Sequence, residues 1–586
     1  MPSPLRIGLL LDGLVQPRWV HRLIQALQHQ AAPIARIELL VLAPPPARAR
    51  RRLGRHLLYR AYTWLDDRLF QSPADALQPG SIEQLVASVP RLRVGQQRTE
   101  LRQIPNSRLD VLLDLAGWVL RAEESAGLAR FGVWTLHHGH DLRTAGGPAG
   151  FWEVFEQHPA TGSLLAITDG TPPVQRVVYR SYAPTDQRSV RRGKSNYYPK
   201  TADFVMRKLK QLQAEGPVAI RETLPDDGPP PPERYRRPPD NREMAGLLRD
   251  LAARYLADKA QQLRSLDQWF VAYSADASPV RARSTTRPFT YLLPPRDRYW
   301  ADPFPVRHAG QTYIFLEEFL LERGSAHISV CRVDQDGRCE APLRVLERPY
   351  HLSYPQVFEW QGSHYMLPET GKQRTVELYR ATRFPFEWQL DRVLVDGLGA
   401  ADATLAHIDG QWWLFANVGV PGSDNSDELH LFHATSPLGP WRPHRRNPVK
   451  SDARSARPAG RIVRWQGGYL RPAQDCAGRY GRAIILNRII SLDPERYEEQ
   501  EVGRIEPGYT AGVFATHTLN ITGSFVCLDG VLRAPRRTIR PGPRFASGMA
   551  VLDSTVEGAA TPDRLAGFRA TGLAAALLDG VGSAAC

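Results

Sequence analysis

Five glycines, Gly310, Gly362, Gly410, Gly467 and Gly523, recur at spacings of 52, 48, 57 and 56 residues, and this period constrains the fold more than any other feature of the chain. Each lies between two apolar runs, in ADPFPVRHAGQTYIF, YPQVFEWQGSHYMLPE, ADATLAHIDGQWWLF, RPAGRIVRWQGGYLRP and HTLNITGSFVCL. A second submotif follows twice, ELYRAT from Glu377 toward Trp388 and ELHLFHAT from Glu428 toward Trp441. A hairpin plus an outer strand pair is one blade of a β-propeller, so five units predict five blades over 267–545. A β-sandwich would supply strands without this period. The strand Trp269–Tyr273 is expected to complete the last blade and close the ring.

Upstream the texture differs. Arg6–Leu11, Ile37–Leu42, Leu109–Leu115 and Gly132–Leu136 read as short buried strands, with Trp19, Leu23 and Leu27 at helical spacing between the first two. This predicts an α/β, Rossmann-like domain over 1–215 that ends in a helix near Ala202–Leu212. The proline run within 224–241 predicts an extended linker, followed by a helix from about Glu243 to Leu266; together 216–266 form the connection. The Ala- and Gly-rich stretch 546–586 reads as a tail.

Lysine and arginine outnumber aspartate and glutamate, 75 against 61, which favours an anionic partner or reflects arginine scattered throughout. Ala47–Arg60 concentrates six arginines among Leu and Tyr, followed by Trp64 and Leu65. Such a helix suits peripheral contact with an anionic membrane, or an ordinary helix with a solvated basic face. The chain shows no nucleic-acid-binding module, so nucleic acid is not an expected partner. Five cysteines without a CxxC pair exclude a disulfide framework or structural zinc site, and no metal is expected. Without a signal-like or membrane-spanning apolar run, the expected location is cytoplasmic, with the inner membrane face as a peripheral station.

In a propeller the first strand of each blade lines the channel. Asp302, Asp402, Arg457 and His517 occupy early positions of such strands, and Glu369 follows the second hairpin. Ionisable groups converging on one mouth perturb one another's pKa, as acid–base chemistry needs, and paired carboxylates suit glycoside cleavage or glycosyl transfer. The candidate catalytic groups are therefore Asp302, Glu369 and Asp402. Arg457, Asp475, His517 and Trp300 are the candidate substrate-binding residues, and strand capping is the competing role for Arg457. Trp300 is assigned to sugar stacking; Trp412 and Trp413 fit interblade packing better.

These residues carry a resemblance. WADPF (300–304), YPQVFE with PET (354–370), DAT (402–404), RPAG with RPAQD (457–475) and HTLN (517–520) resemble the N-terminal domain of plant glucosamine inositolphosphorylceramide transferases and its bacterial relatives. That domain belongs to the arabinanase, levansucrase and invertase propeller superfamily. The resemblance implies a base at Asp302 and further carboxylates at Asp402 or Glu369. AlaAspPro replaces the ArgAspPro of many hydrolases, so it implies binding or transfer rather than hydrolysis.

FGVWTLHHG (131–139), GGP (146–148), FWEV (151–154) and TGSLL (161–165) resemble the formyltransferases that use 10-formyltetrahydrofolate. The family's His matches His137, its Asn falls on Thr135, and its Asp falls on Pro173, with Asp169 four residues earlier. Thr135 cannot supply the amide donor to a developing oxyanion. The resemblance thus implies a formyltransferase-like fold, with 10-formyltetrahydrofolate as a doubtful donor and His137 as the remaining acid–base candidate, beside His138 and Asp141. The sequence reading is a transferase-type, carbohydrate-active protein of surface-glycan or glycolipid assembly, taking a carbohydrate, nucleotide-sugar or glycolipid substrate. Its rival is a non-catalytic carbohydrate-binding protein built from two degenerate enzyme folds.

Overall fold

The computed structural model describes residues 3–28, 34–43, 53–71, 75–95, 99–104, 108–118, 120–139, 142, 147–170, 175–221, 224, 232–274, 289–420, 426–507 and 512–535. Asp141, Pro173, most of the proline run and the whole of 546–586 lie outside them. Two compact units divide near residue 255.

In the first unit the apolar strand patterns of the sequence assemble into one mixed seven-stranded sheet. Its order is Arg91–Arg93, Ala35–Leu42, Leu5–Leu11, Val111–Asp114, Val133–His138, Ala160–Thr168, Arg176–Pro184. The first five strands are parallel, Ala160–Thr168 runs against them, and Arg176–Pro184 runs with them again. Parallel strands need covered faces: Arg18–Gln28 and the closing helix pack on one, and Leu101, Ile104, Trp118, Leu120 and Leu128 pack on the other. Arg18–Gln28 buries Trp19, Val20, Leu23, Ile24 and Leu27, the stripe expected of an amphipathic helix. The closing helix is longer than its apolar run suggests, Val190–Glu215, because Ser189 caps it by accepting from the Arg192 backbone N–H.

The expected connection 216–266 is more ordered than a linker in its described parts. Tyr235 and Met244 pack with Phe151, Trp152 and Val190, and the helix Asn241–Arg264 begins there. Proline content marks where regular structure stops; it does not report the aromatic and apolar anchors on either side.

The second unit is the five-bladed propeller. The first four blades start at Arg298–His308, Ser353–Trp360, Ala400–Ile408 and Val463–Trp465. Each continues outward through an antiparallel meander. Blade five is composite: Leu519–Thr522 pairs with Phe525–Pro535, which pairs in ten consecutive positions with Ser265–Ser274. The ring is thus closed by the strand that precedes blade one in sequence. The repeat glycines sit where the period placed them, in tight hairpins. Ala309–Gly310, Gln361–Gly362, Asp409–Gly410 and Gln466–Gly467 all have positive φ at both central positions, the twist that matches two-residue hairpins.

Three first strands carry an irregularity that no alternation pattern shows. Asp302, Tyr354 and Asp402 adopt φ of 50°, 49° and 51°, each within a break in strand register. A bulge of this kind re-aims a side chain, here at equivalent points of three blades. In blade four Gly460 takes φ 129°, and a Cβ there would lie 1.9 Å from the Leu519 carbonyl oxygen.

Candidate active site

Asp302, Glu369, Asp402, Arg457 and His517 gather into two adjoining groups, Asp302 with His517 and Asp402 with Glu369 and Arg457, near enough that the Asp402 charge acts on Asp302. Asp302 accepts from Thr518 Oγ1 at 2.6 Å and from the Tyr354 backbone N–H at 3.2 Å, and His517 Nε2 lies 3.7 Å from its Oδ1. Asp402 Oδ2 accepts from Arg457 Nε at 2.5 Å and Gln474 Nε2 at 2.6 Å. Glu369 Oε2 accepts from the Asp402 backbone N–H at 3.1 Å, with Arg457 Nη2 3.6 Å away. The expected convergence of these five residues is what the structure contains.

The structure adds members that the blade-start rule missed. Seven residues beyond the hairpin glycine, four blades place Glu317, Glu369, Asn417 and Gln474. In the first three, this residue pairs across the sheet with the one preceding the left-handed position: Glu317 with Ala301, Glu369 with Ser353, Asn417 with Ala401. Counting outward from each glycine in both directions would have found Glu317 in the sequence. Asp529 had no such signal. It accepts from the backbone N–H groups of His517 (2.9 Å), Thr518 (3.0 Å) and Asp302 (3.2 Å), and pairs with His517 Nδ1 at 2.5 Å.

Burial dominates the electrostatics. It pushes Asp302 up to about 6, with Asp402 and Asp529 adding to the rise and His517 opposing it. It pushes Glu369 up to about 8, reinforced by the Asp402 charge and moderated by Arg457. Glu317 rises well above the ordinary carboxylate range through burial and the neighbouring Asp302, Glu369 and Asp402 charges. Burial alone would lower His517, but Asp529 and Asp302 outweigh it and hold the imidazole above its usual range. At neutral pH the mouth therefore combines a protonated Glu369 with an Asp302 on the ionised side of its titration.

Ligand atoms of Asp302, His517 and Asp529 lie within 4.8 Å of one another, the one such cluster among the described residues. Both Asp529 oxygens already accept two protein donors each, which suits an ion-paired hydrogen-bond centre better than a cation site.

Two predicted binding residues stand elsewhere. Trp300 is buried in the apolar cluster with Val271, Ile314 and Leu316, its Nε1 donating to Glu318 at 3.3 Å, so no ring face is left for a sugar. Asp475 ends its strand against Arg504 at 3.2 Å and Arg482 at 3.7 Å. The aromatic residues beside the network are Tyr480 and Trp269. Tyr480 is 46 % exposed; Arg457 lies 5.0 Å over its ring and His517 meets it edge-on at 5.2 Å. Trp269 stacks on His517 at 4.1 Å. Gly481 permits this approach, since a Cβ there would meet Trp269 and His517 at 3.1 Å. A cleft of about 620 Å³ lies toward the hairpin ends of the strands, between Gln356, Trp412, Arg461 and Tyr469.

In the first unit, His137 is buried with its Nε2 unpartnered, and burial lowers its pKa to about 4. His138 lies beside it, Nδ1 3.1 Å from Ser163 Oγ. Asp169, the substitute for the missing Asp, is taken up by Arg176 at 2.5 Å. Thr135 is buried in the same strand as His137.

Residues 274–508 match the protein family described as glucosamine inositolphosphorylceramide transferase 1, N-terminal. Over 206 residues, 34% of this chain, the sequence is 39% identical to glucosamine inositolphosphorylceramide transferase 1 of Oryza sativa subsp. japonica. Over 208 residues it is 34% identical to the Arabidopsis thaliana protein of the same name. The matched stretch covers 28% and 27% of those proteins, so the chain spans little more than a quarter of the curated relatives. Among solved structures, it is similar to a family 117 glycoside hydrolase of Zobellia galactanivorans (12% identity, TM-score 0.31, 46% of this chain and 91% of that one). It is also similar to a GH43_1 enzyme of Xanthomonas citri (14% identity, TM-score 0.32, 42% and 89%).

Proposed function

We propose that this protein is a transferase-type, carbohydrate-active enzyme of glycolipid or surface-glycan assembly, with the propeller mouth as its sugar site. One observation carries the reading: neighbouring blades gather Asp302, Asp402, Glu369, Arg457 and His517 side by side, where burial raises Glu369 to about 8 and Asp302 to about 6. Glu369 is suited to give its proton to the oxygen that leaves the sugar, while Asp302 takes the proton of the incoming hydroxyl. Burial raises the Glu369 proton affinity, with the Asp402 charge adding to the rise and Arg457 moderating it, and Tyr480 with Trp269 supplies the aromatic surface for a sugar ring. The name of the plant relatives, glucosamine inositolphosphorylceramide transferase 1, supports a phosphorylated lipid as the acceptor class, and we propose a nucleotide sugar as the donor.

A second reading, a carbohydrate-binding propeller without turnover, is favoured by the protein donors that already engage Asp302 and Asp402, two hydrogen bonds to each carboxylate. The separating experiment incubates the full chain with nucleotide sugars and inositolphosphorylceramide and follows the product by mass spectrometry. Turnover lost in Glu369→Gln and Asp302→Asn supports the enzyme. Sugar binding without turnover in the wild type supports the second reading, and full turnover in both variants removes the propeller as the catalytic centre.

For the first unit we propose a formyltransferase-like ancestry that retains a binding role. The mixed sheet and the buried His137 support it, while the Arg176-bound Asp169 and the Thr at 135 argue against formyl transfer. The absence of thermal protection by folate analogues is the expected result.

A further inference from the structure

The helix Leu57–Leu69 presents its apolar side to solvent. At 100° per residue, Leu57, Leu58, Ala61, Trp64, Leu65 and Leu69 share one face. All are exposed, with Trp64 at 63 % and Leu69 at 64 %, and Phe70 continues the patch. The opposite face makes the contacts with the unit. Tyr59 meets Phe151 and Tyr62 meets Phe155, each edge-on at 5.2 Å, and Asp66 accepts from the Arg191 backbone N–H at 2.7 Å.

The start of the helix is held as well. Asn241 accepts from the Leu58 N–H at 3.1 Å and donates to the Gly54 carbonyl at 2.7 Å. A helix fixed at its start and along its polar side, with its hydrophobic side outward, lacks an occupant for that side. A contiguous patch of this composition marks an interaction surface.

The charges around the patch select the occupant. Arg60 and Arg68 are exposed on the helix, and the Arg68 guanidinium lies 5.8 Å from the Trp64 ring. Asp66 is buried, and the exposed Asp67 is paired with Arg191 at 3.2 Å. Immediately upstream the sequence supplies Arg48, Arg50, Arg51, Arg52 and Arg55. An apolar face carrying Trp, with Arg68 within it and Arg60 at its edge, matches the boundary layer of a bilayer: rings and aliphatic groups at headgroup depth, guanidinium groups on lipid phosphate.

We propose that this helix docks the protein, apolar face down, on an anionic lipid bilayer. The helix belongs to the first unit and none of its residues is among those assigned to the propeller chemistry, so docking and sugar transfer can fail separately.

The test is sedimentation of the full-length protein with vesicles of phosphatidylcholine, alone or mixed with phosphatidylglycerol, across a salt series. Both vesicles lack glycolipid, which keeps the outcome independent of the substrate proposal. The expected result is binding to the anionic vesicles that weakens with salt. Trp64→Asp with Leu65→Asp should lower it at least tenfold, and Arg60→Gln with Arg68→Gln roughly thirtyfold at low salt. Both pairs are surface changes, and an unchanged melting temperature confirms an intact fold. Absence of anionic-vesicle binding in the wild type, or equal binding by the Asp pair, overturns the proposal. So does a concentration-dependent dimer that the Asp pair abolishes without any vesicle binding, which would assign the face to self-association. Equal binding to neutral and anionic vesicles would overturn the anionic assignment.

Discussion

Glu369→Gln should make the protein more stable while removing the proposed transfer, and the gain should depend on pH in a defined way. The folded state holds Glu369 at about 8 against 4.5 for the unperturbed group, chiefly through burial. Below pH 4.5 the carboxyl is protonated in both states and costs folding nothing. As pH rises the unfolded chain releases the proton first, so stability falls by about 1.4 kcal/mol per pH unit until the folded state also ionises near pH 8. The gap of 3.5 units corresponds to a ceiling of about 5 kcal/mol, and to about 3 kcal/mol at pH 7. Glutamine is close in shape and does not titrate. Its amide oxygen can still accept from the Asp402 N–H, so the variant avoids this penalty. Urea unfolding followed by tryptophan fluorescence from pH 4.5 to 9 measures the difference. The variant should match the wild type at the acid end and pull ahead progressively above it. A difference that stays flat with pH, or that shrinks toward pH 8, refutes the argument that Glu369 is held protonated.

Asp529→Asn removes the main counter-charge of His517, so the imidazole pKa should fall from its raised value, as NMR titration of the histidine ring would show. In the wild type this pair stabilises fully below pH 6.5, and the stability is lost as pH passes through the raised folded value. Breaking the pair should therefore cost about 3 kcal/mol in acid and less in alkali, read by melting temperature against pH. Gly460→Ala drives a methyl into the Leu519 carbonyl and should cost more than about 4 kcal/mol by urea midpoint. Gly523→Ala, at φ 59° with only Arg307 nearby, should cost about 1 kcal/mol. Tyr480→Ala should weaken sugar binding about tenfold by calorimetry with only a small loss of melting temperature, because the residue is partly exposed and its ring contacts are with Arg457, His517 and Trp269. Unchanged affinity would remove Tyr480 from the sugar surface.

The propeller was legible because hairpins of this kind demand a residue with φ > 0 at a fixed place. Glycine is the residue that satisfies it, which is why Gly310, Gly362, Gly410 and Gly467 mark four blades. Asp302 and Asp402 were legible as acids at equivalent points. Their left-handed backbone was not, since aspartate tolerates both conformations and nothing in the alternation reveals a bulge. Trp300 misled because an aromatic next to a catalytic candidate reads alike whether its ring meets a sugar or a neighbouring blade. Tyr480 and Trp269 were missed for the opposite reason. They reach His517 from a loop of blade four and a strand of blade five, and that proximity exists only after the ring closes. In the first unit, strand identity was legible from apolar runs, whereas the engagement of Asp169 by Arg176 is a tertiary fact.

The pairing of Ser265–Ser274 with Phe525–Pro535 has a kinetic consequence. The strand that must finish blade five leaves the ribosome before any of blades one to four, and its partner leaves after all of them. Until then Phe270, Val271, Ala272 and Tyr273, each buried in the finished ring, belong to an open edge that any other strand could join. Contacts that distant in sequence form late, after a large loss of chain entropy, so closure should be the slow event of propeller folding. Once made, the same pairing acts as a latch. Opening the ring requires ten adjacent residue pairs to separate together, and this favours a long-lived native state over a fast-forming one.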